Sequence, residues 1–458
     1  MLTRRELLAA GSAATAIALI GSAARGQTPV AMPALSPTLP AHSFELGNGL
    51  QVIVQPSSRA PIVTQMLWYK VGSADEPPGK SGIAHFFEHM MFKGTPSVPA
   101  GEFSKIISRA GGRDNAFTSY DYTAYHQTVA ADQLEMIMRM EADRMTNLIV
   151  SEKELLPERD VVLEERRQVV ESRPGSLLDE VAREALFGRQ GYGIPIIGFP
   201  SEIRELGVAD AKAVYDRFYA PNNAVLVIAG DTTLDAVRAL ADKYYASAPR
   251  KDVPARSRSE AIGAGLPRRV ERRDKRVSQP EWQREYVAPS YRMGETRHAF
   301  ALQILAQALG GGQTSRLYRA LVLDGKVALG ASAGYSAQSL GWGTFGIGVS
   351  PSPGRGMDET GVAAQAVVDQ LLRDGVSDEE VARSKRRLLA AAIYARDALS
   401  TGPRIYGSTL TTGGALADVE QWPARIGAVT AAQVLEAARA VFDEKRSVTS
   451  LLLPEGAG

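Results

Sequence analysis

Apolar positions in Phe44-Glu45-Leu46 and Leu50-Gln51-Val52-Ile53-Val54 flank Gly47-Asn48-Gly49, whose Asn-Gly pair suits the positive backbone angles of a tight hairpin. Two antiparallel strands are predicted there. Ile62 to Val71 is mostly apolar and reads as a third strand, and Pro77-Pro78-Gly79 breaks the chain before a helix that carries Gly82-Ile83-Ala84-His85-Phe86-Phe87-Glu88-His89-Met90-Met91. A short helix from about Glu102 to Arg109 stops at Gly111-Gly112, and Asn115 to Thr118 with Thr123 to Ala130 form a strand pair. A helix from about Asp132 to Asn147 follows. Ser151-Glu152-Lys153-Glu154 has the form of a capping box and opens a long helix to about Ser172. Val208 to Phe218 is helical, Ala224 to Ala229 a strand, and Leu234 to Ala246 a further helix.

The same order returns after roughly 220 residues. His298 to Leu309 corresponds to the helix with two histidines, Ser315 to Leu323 to the short helix, and Leu329 to Tyr335 with Trp342 to Val349 to the strand pair. Ser377-Asp378-Glu379-Glu380 opens another long helix, and Val429 to Phe442 followed by Ser447 to Leu453 echoes Val208 to Ala229. The predicted fold is α+β, a duplication of two homologous domains, each an antiparallel-rich sheet packed with helices. They span 42–248 and 269–458, with a linker at 249–268 inside a stretch rich in Arg, Pro and Gly whose charge reads as ordinary solvation.

Composition narrows what such a chain does. Of 458 residues 45% are hydrophobic, ample for a large core, and a net charge of +1 gives no bulk pull toward nucleic acid or membrane. With no Cys, thiolate metal sites, disulfides and a lipid-modified Cys anchor are excluded, so any metal is held by His and carboxylates. At the N-terminus, Arg4-Arg5 precedes an uncharged run from Leu7 to Ala24 with Ser22-Ala23-Ala24 and Ala24-Arg25-Gly26 as cleavage candidates. Residues 1–26 read as an export signal resembling the twin-arginine type, although Glu6 departs from it. The competing reading is an uncleaved anchor, since that run is just long enough to span a bilayer. Residues 27–41, with Pro29, Pro33, Pro37 and Pro40, read as a linker. The expected destination is the periplasm, with no stable membrane insertion once the signal is removed.

The chemistry concentrates on the first histidine helix. His85, Glu88 and His89 lie within an arc of about 100°. Neutral imidazoles are good Zn²⁺ ligands, and a Glu held between two of them without binding can take a proton from water. The chain has only five His, so the inverted H-x-x-E-H spacing is specific; the bland alternative is a core helix with two satisfied histidines. For a third ligand, Glu158 and Glu165 are seven apart and share a face with Val161 and Val162, while Glu164 is rotated toward Asp160 and Arg167. Burial turns Glu165 inward and Glu164 outward; otherwise all are solvated helix charges. The second copy has His298-Ala299-Phe300-Ala301-Leu302-Gln303 in place of the two-His pattern and Ala391 where the first has Glu165. It cannot bind the same metal. His298, His126 and His42 read as surface or capping histidines.

Taken together, His85-Phe86-Phe87-Glu88-His89, Glu165 lying 76 residues beyond His89, and the duplication resemble the pitrilysin/insulinase family of zinc peptidases, in its short two-domain branch that includes the mitochondrial processing peptidases. Asn115-Ala116-Phe117-Thr118, Glu158 to Glu165, Tyr219-Ala220-Pro221-Asn222-Asn223 and Gly310 to Leu317 stand where that family has related segments. The resemblance implies one Zn²⁺ per chain on His85, His89 and Glu165, Glu88 as general base, and Glu158 as a carboxylate orienting a ligand histidine. It also implies that Asn115, Ala116, Phe117 and Thr118 receive an extended peptide as an added strand. One departure stands out. Members acting alone or as homodimers carry an Arg and, seven residues later, a Tyr that contact substrate, where this chain aligns Val322 and Leu329; Arg319 and Tyr335 are nearby substitutes if the alignment slips. The implied protein is an exported zinc metalloendopeptidase acting on peptides or unfolded segments, the zinc-bearing subunit of a heteromeric peptidase. Its partner would be a homologous non-zinc subunit carrying the Arg and Tyr, or alternatively a second copy in a homodimer. The alternative from another class is a non-catalytic scaffold or assembly subunit.

Overall fold

The apolar runs pair into two mixed sheets in the computed structural model, which describes residues 41–189, 191–260 and 268–456. The first sheet contains β1 (His42–Glu45), β2 (Gln51–Pro56), β3 (Ile62–Tyr69), β4 (Arg113–Thr118), β5 (Thr123–Ala130) and β6 (Ala224–Gly230) in the order β1-β2-β6-β3-β5-β4. The second contains β7 (Arg268–Asp274), β8 (Glu281–Ala288), β9 (Ala328–Ser336), β10 (Gly343–Pro351) and β11 (Ser447–Pro454) in the order β7-β11-β8-β10-β9. With β1 set aside, the two orders match strand for strand. Each sheet has one parallel contact, β2 with β6 and β7 with β11, and is otherwise antiparallel. Strand β6 is buried on both faces along its whole length, which is why Ala224-Val225-Leu226-Val227-Ile228-Ala229 shows no alternation.

Helices cover the sheets in an exchanged manner. The histidine helix, Ile83–Met90, lies on one face of the first sheet, with Phe86, Phe87 and Met90 sunk into the core. The other face is covered by a helix from the second half, Thr401–Thr411, whose Tyr406 and Leu410 pack with Ile53, Met66, Trp68, Val225 and Val227. Gly407 makes this contact possible, because a Cβ there would stand 2.0 Å from the Trp68 ring. Reciprocally, the first half's Pro174–Phe187 helix lies on β7 and β11, with Ala182, Leu186 and Phe187 against Val287 and Val448.

Two sequence expectations need correction. The long helix does begin after Ser151, running over Glu152–Arg166 and on through a π-helical turn to Glu171, but no capping box forms at Ser151. Only its backbone carbonyl serves, taking the N–H of Leu155 at 3.0 Å. The box forms at Ser377 and Glu380 instead. The linker's charge is not mere solvation. The Arg258 side chain is covered and binds Asp75 and Asp121, each at 2.7 Å, while Arg256 reaches Asp121 O at 2.6 Å and Thr411 O at 2.9 Å. Asp121 also accepts from Tyr192 of the first half and from the Leu340 N–H of the second. Carboxylates taken out of water need paired cations, and the linker supplies them. The export signal at 1–26, the proline-rich segment up to residue 40 and linker residues 261–267 lie outside the described residues. Among those described, no helix is long and apolar enough to cross a membrane.

Candidate metal centre

The histidine helix starts from Gly82, which has φ +84° and whose Cβ would lie 2.5 Å from Ile197 O, so only glycine fits. The carboxylate of Glu76 accepts from the Gly82 and Ala84 N–H groups at 2.9 and 2.8 Å, meeting donors that a helix start leaves free. With its apolar side fixed in the core, the helix turns His85, Glu88 and His89 toward the glutamate helix. There Leu155 and Val162 are buried and hold that helix down, whereas Val161, expected on the same face, is 40% exposed.

The structure brings His85, His89 and Glu165 together, one ligand atom from each lying within 4.8 Å of the others. His89 Nε2 stands 3.3 Å and His85 Nε2 3.9 Å from Glu165 Oε2. Glu164 points away and pairs with Arg167 at 2.8 Å. Glu158 accepts from His89 Nδ1 at 2.8 Å and also pairs with Lys93. A carboxylate can only accept, so Nδ1 carries the hydrogen and Nε2 is aimed at the cluster. His85 Nδ1 is buried with no such partner among the described residues, and its ring is oriented by packing.

The electrostatics divide the residues by role. Burial, aided by the neighbouring His89, pushes His85 down to about 4, so it is neutral. Burial works the same way on His89, but the bonds to Glu158 and Glu165 and the nearby Glu88 outweigh it and push His89 up to about 9. Burial raises Glu88 to about 7 against the pull of His89 and a 2.6 Å bond donated by Thr118 Oγ1. Glu158 is held below its ordinary value because its bonds to His89 and Lys93 outweigh its own burial. Two imidazoles, one carboxylate and no sulfur fit a zinc ion, and Glu88, a carboxylate near neutrality beside that cluster, suits proton transfer.

The remaining expected residues fall as follows. Asn115, Ala116, Phe117 and Thr118 lie on β4, the outermost strand of the first sheet. Val322 sits in a π-helical turn, Tyr318–Asp324, and Leu329 is 56% exposed on β9. Tyr335 donates its hydroxyl to Pro289 O at 2.5 Å, and Arg319 is exposed. His42 is exposed, but His298 is buried and paired with Glu295 at 3.1 Å, and His126 is half-buried on β5. Sequence reasoning missed Glu76, Lys93 and the contact of Thr118 with Glu88. Lys93, four residues past His89, carried a spacing signal; Glu76 lies outside any regular element and carried none.

Comparison with known proteins gives a family and a fold. Residues 51–198 match the insulinase, or peptidase family M16, domain, and residues 205–388 match the peptidase M16 inactive domain. A zinc protease of Helicobacter pylori, PqqE, is 35% identical over 291 residues, 62% of this chain and 64% of that relative's length. The crystal structure of a protease from Helicobacter pylori has a TM-score of 0.83 at 27% identity, covering 91% of this chain and 100% of the other. The first half of the periplasmic protease PqqL from Escherichia coli shares the fold, with a TM-score of 0.76 at 21% identity over 92% of this chain and 93% of that one. The chain belongs to the insulinase family of peptidases, M16, and has that family's two-domain fold.

Zinc uptake near about pH 7.5 is expected to release about one proton. His89, protonated below about 9 in the metal-free protein, must lose a proton to become a ligand, whereas His85 is already neutral. Calorimetric titration in two buffers of different ionisation enthalpy reads the count. Heats independent of buffer would mean that His89 is neutral before metal arrives.

Proposed function

We propose that this chain is an exported zinc metalloendopeptidase that hydrolyses peptides or unfolded segments, with one Zn²⁺ held by His85, His89 and Glu165. The observation that carries this reading is the convergence of those three ligand atoms within 4.8 Å, next to a Glu88 pushed up to about 7. When bound, zinc supplies polarisation of the scissile carbonyl and acidification of the attacking water. Glu88 takes the proton from water on a carboxylate oxygen as the new C–O bond forms. It then returns that proton to the amine nitrogen as the C–N bond breaks. Thr118 Oγ1 steadies Glu88 through its 2.6 Å bond, and Glu158 fixes the ring of His89. Strand β4 has a neighbour, β5, on one side only among the described residues, which leaves an edge where an extended peptide adds as a further strand.

Neither Val322 nor Leu329 can donate a hydrogen bond, and the Tyr335 hydroxyl is already engaged, so the reading includes a homologous non-zinc partner supplying an Arg and a Tyr. Export rests on residues 1–26 and on the likeness to a periplasmic protease. The test is peptide cleavage with zinc analysis, on the protein alone and with a homologous chain that lacks the His pair. One zinc per chain and cleavage only in the mixture are expected. Zinc-free purified protein would refute the metal assignment, and a full rate from the monomer alone would refute the partner.

A further inference from the structure

One face of the β4 edge carries charge that the proposed reaction does not use. Side chains alternate along β4, so Asp114, Ala116 and Thr118 share the face covered by the histidine helix, where Thr118 meets Glu88. Arg113, Asn115 and Phe117 face the opposite way. On that side Phe117 packs edge-on against Trp68, with ring centroids 5.3 Å apart, and lies 6.2 Å from His126, which pairs with Asn115 across the ladder. The guanidinium of Arg404, delivered by the second half's Thr401–Thr411 helix, sits 5.0 Å from the Phe117 ring centroid. Neither Arg404 nor Arg113 has a carboxylate at ion-pair distance or a side-chain hydrogen bond among the described residues. His126 adds no charge, since burial and then Arg404 push it down to about 4. The face is therefore cationic over an aromatic floor.

Given the peptidase reading above, on which this inference rests, an extended chain added to β4 places every second side chain on this cationic face. We propose that Arg404, backed by Phe117, forms a charge-selective subsite that takes an aspartate or glutamate side chain of the bound peptide. A guanidinium offers paired donors that fit a carboxylate, and the Phe117 ring shields one side of it from water. A basic side chain at the same position would meet Arg404 with like charge. The second half, which lacks the metal ligands, would thus still read the substrate.

The test uses the Glu88→Gln chain, alone and mixed with the homologous chain that lacks the His pair, which should hold peptide without consuming it. Fluorescence anisotropy is followed for labelled peptides with amidated C-termini, in which Glu, Gln or Lys is moved one position at a time along a neutral host. At one position Glu is expected to tighten binding roughly tenfold over Gln, and Lys to weaken it. Arg404→Gln should abolish the gain, Arg404→Lys should keep part of it, and Arg404→Glu should reverse it in favour of Lys, with zinc content and melting temperature unchanged. Binding that ignores charge at every position, or a Glu gain that survives Arg404→Gln, overturns the subsite and leaves the peptidase reading standing. If no peptide binds even in the mixture, the peptidase reading fails and the subsite fails with it.

Discussion

Glu88→Gln is expected to lower peptide turnover by about a thousandfold or more while zinc content stays unchanged. The amide has the shape of the carboxylate and keeps an oxygen for the Thr118 hydroxyl, now 2.6 Å away, but it cannot accept a proton from water. Glu88 is not among the atoms that converge on the metal position, so its loss should not release zinc. Stability separates this outcome from misfolding. Glu88 is 7% exposed and its burial already disfavours the charge, so a neutral isostere should melt at the same temperature or higher. Activity assays, metal analysis and thermal denaturation of one preparation decide it. Turnover equal to that of the parent chain, both assayed with the homologous non-zinc chain, would remove Glu88 from the reaction.

Glu165→Gln is expected to lose both zinc and activity, and Glu158→Gln to weaken zinc binding by about 10–100-fold without abolishing it. The two differ because Glu165 offers an oxygen directly to the cluster, whereas Glu158 bonds to His89 Nδ1 and Lys93. A neutral amide at Glu165 is a poor replacement for a charged ligand. At Glu158 it still accepts from His89 but no longer favours the orientation as strongly. Zinc retained against a competing chelator, compared across the parent and both variants, gives the ranking. An unchanged metal content in Glu165→Gln would pass the ligand role to another carboxylate of that helix.

Much of this centre was legible because it rests on local periodicity. Spacing alone put His85, Glu88 and His89 on one side of a helix, and the contrast between Glu164 and Glu165 followed from a rotation of about 100° per residue. The duplication was legible for the same reason, since both halves repeat an order of elements that needs no tertiary information. What stayed hidden depends on contacts between distant segments. Arg256 and Arg258 looked like solvated linker charges because their partners, Asp75 and Asp121, lie 181 and 137 residues away. His298 looked like a surface residue because nothing in its neighbourhood announces burial. Val161 was misplaced because a helix face broader than its buried stripe leaves apolar residues at the margin in water. Ser151 shows the limit of local motifs, as its side chain makes no cap although the spacing permits one.

The exchanged helices explain why a copy without metal ligands persists. Removing the second half would strip the Thr401–Thr411 helix from the first sheet and leave Trp68, Met66 and Val227 facing water, and removing the first would bare β11 in the same way. The second half carries Ala391 at the position matching Glu165 and lacks the two-His pattern, whereas a larger residue at Gly407 would unroof the first sheet. The two halves thus divide by position: the candidate chemistry sits in one, and the packing needs both.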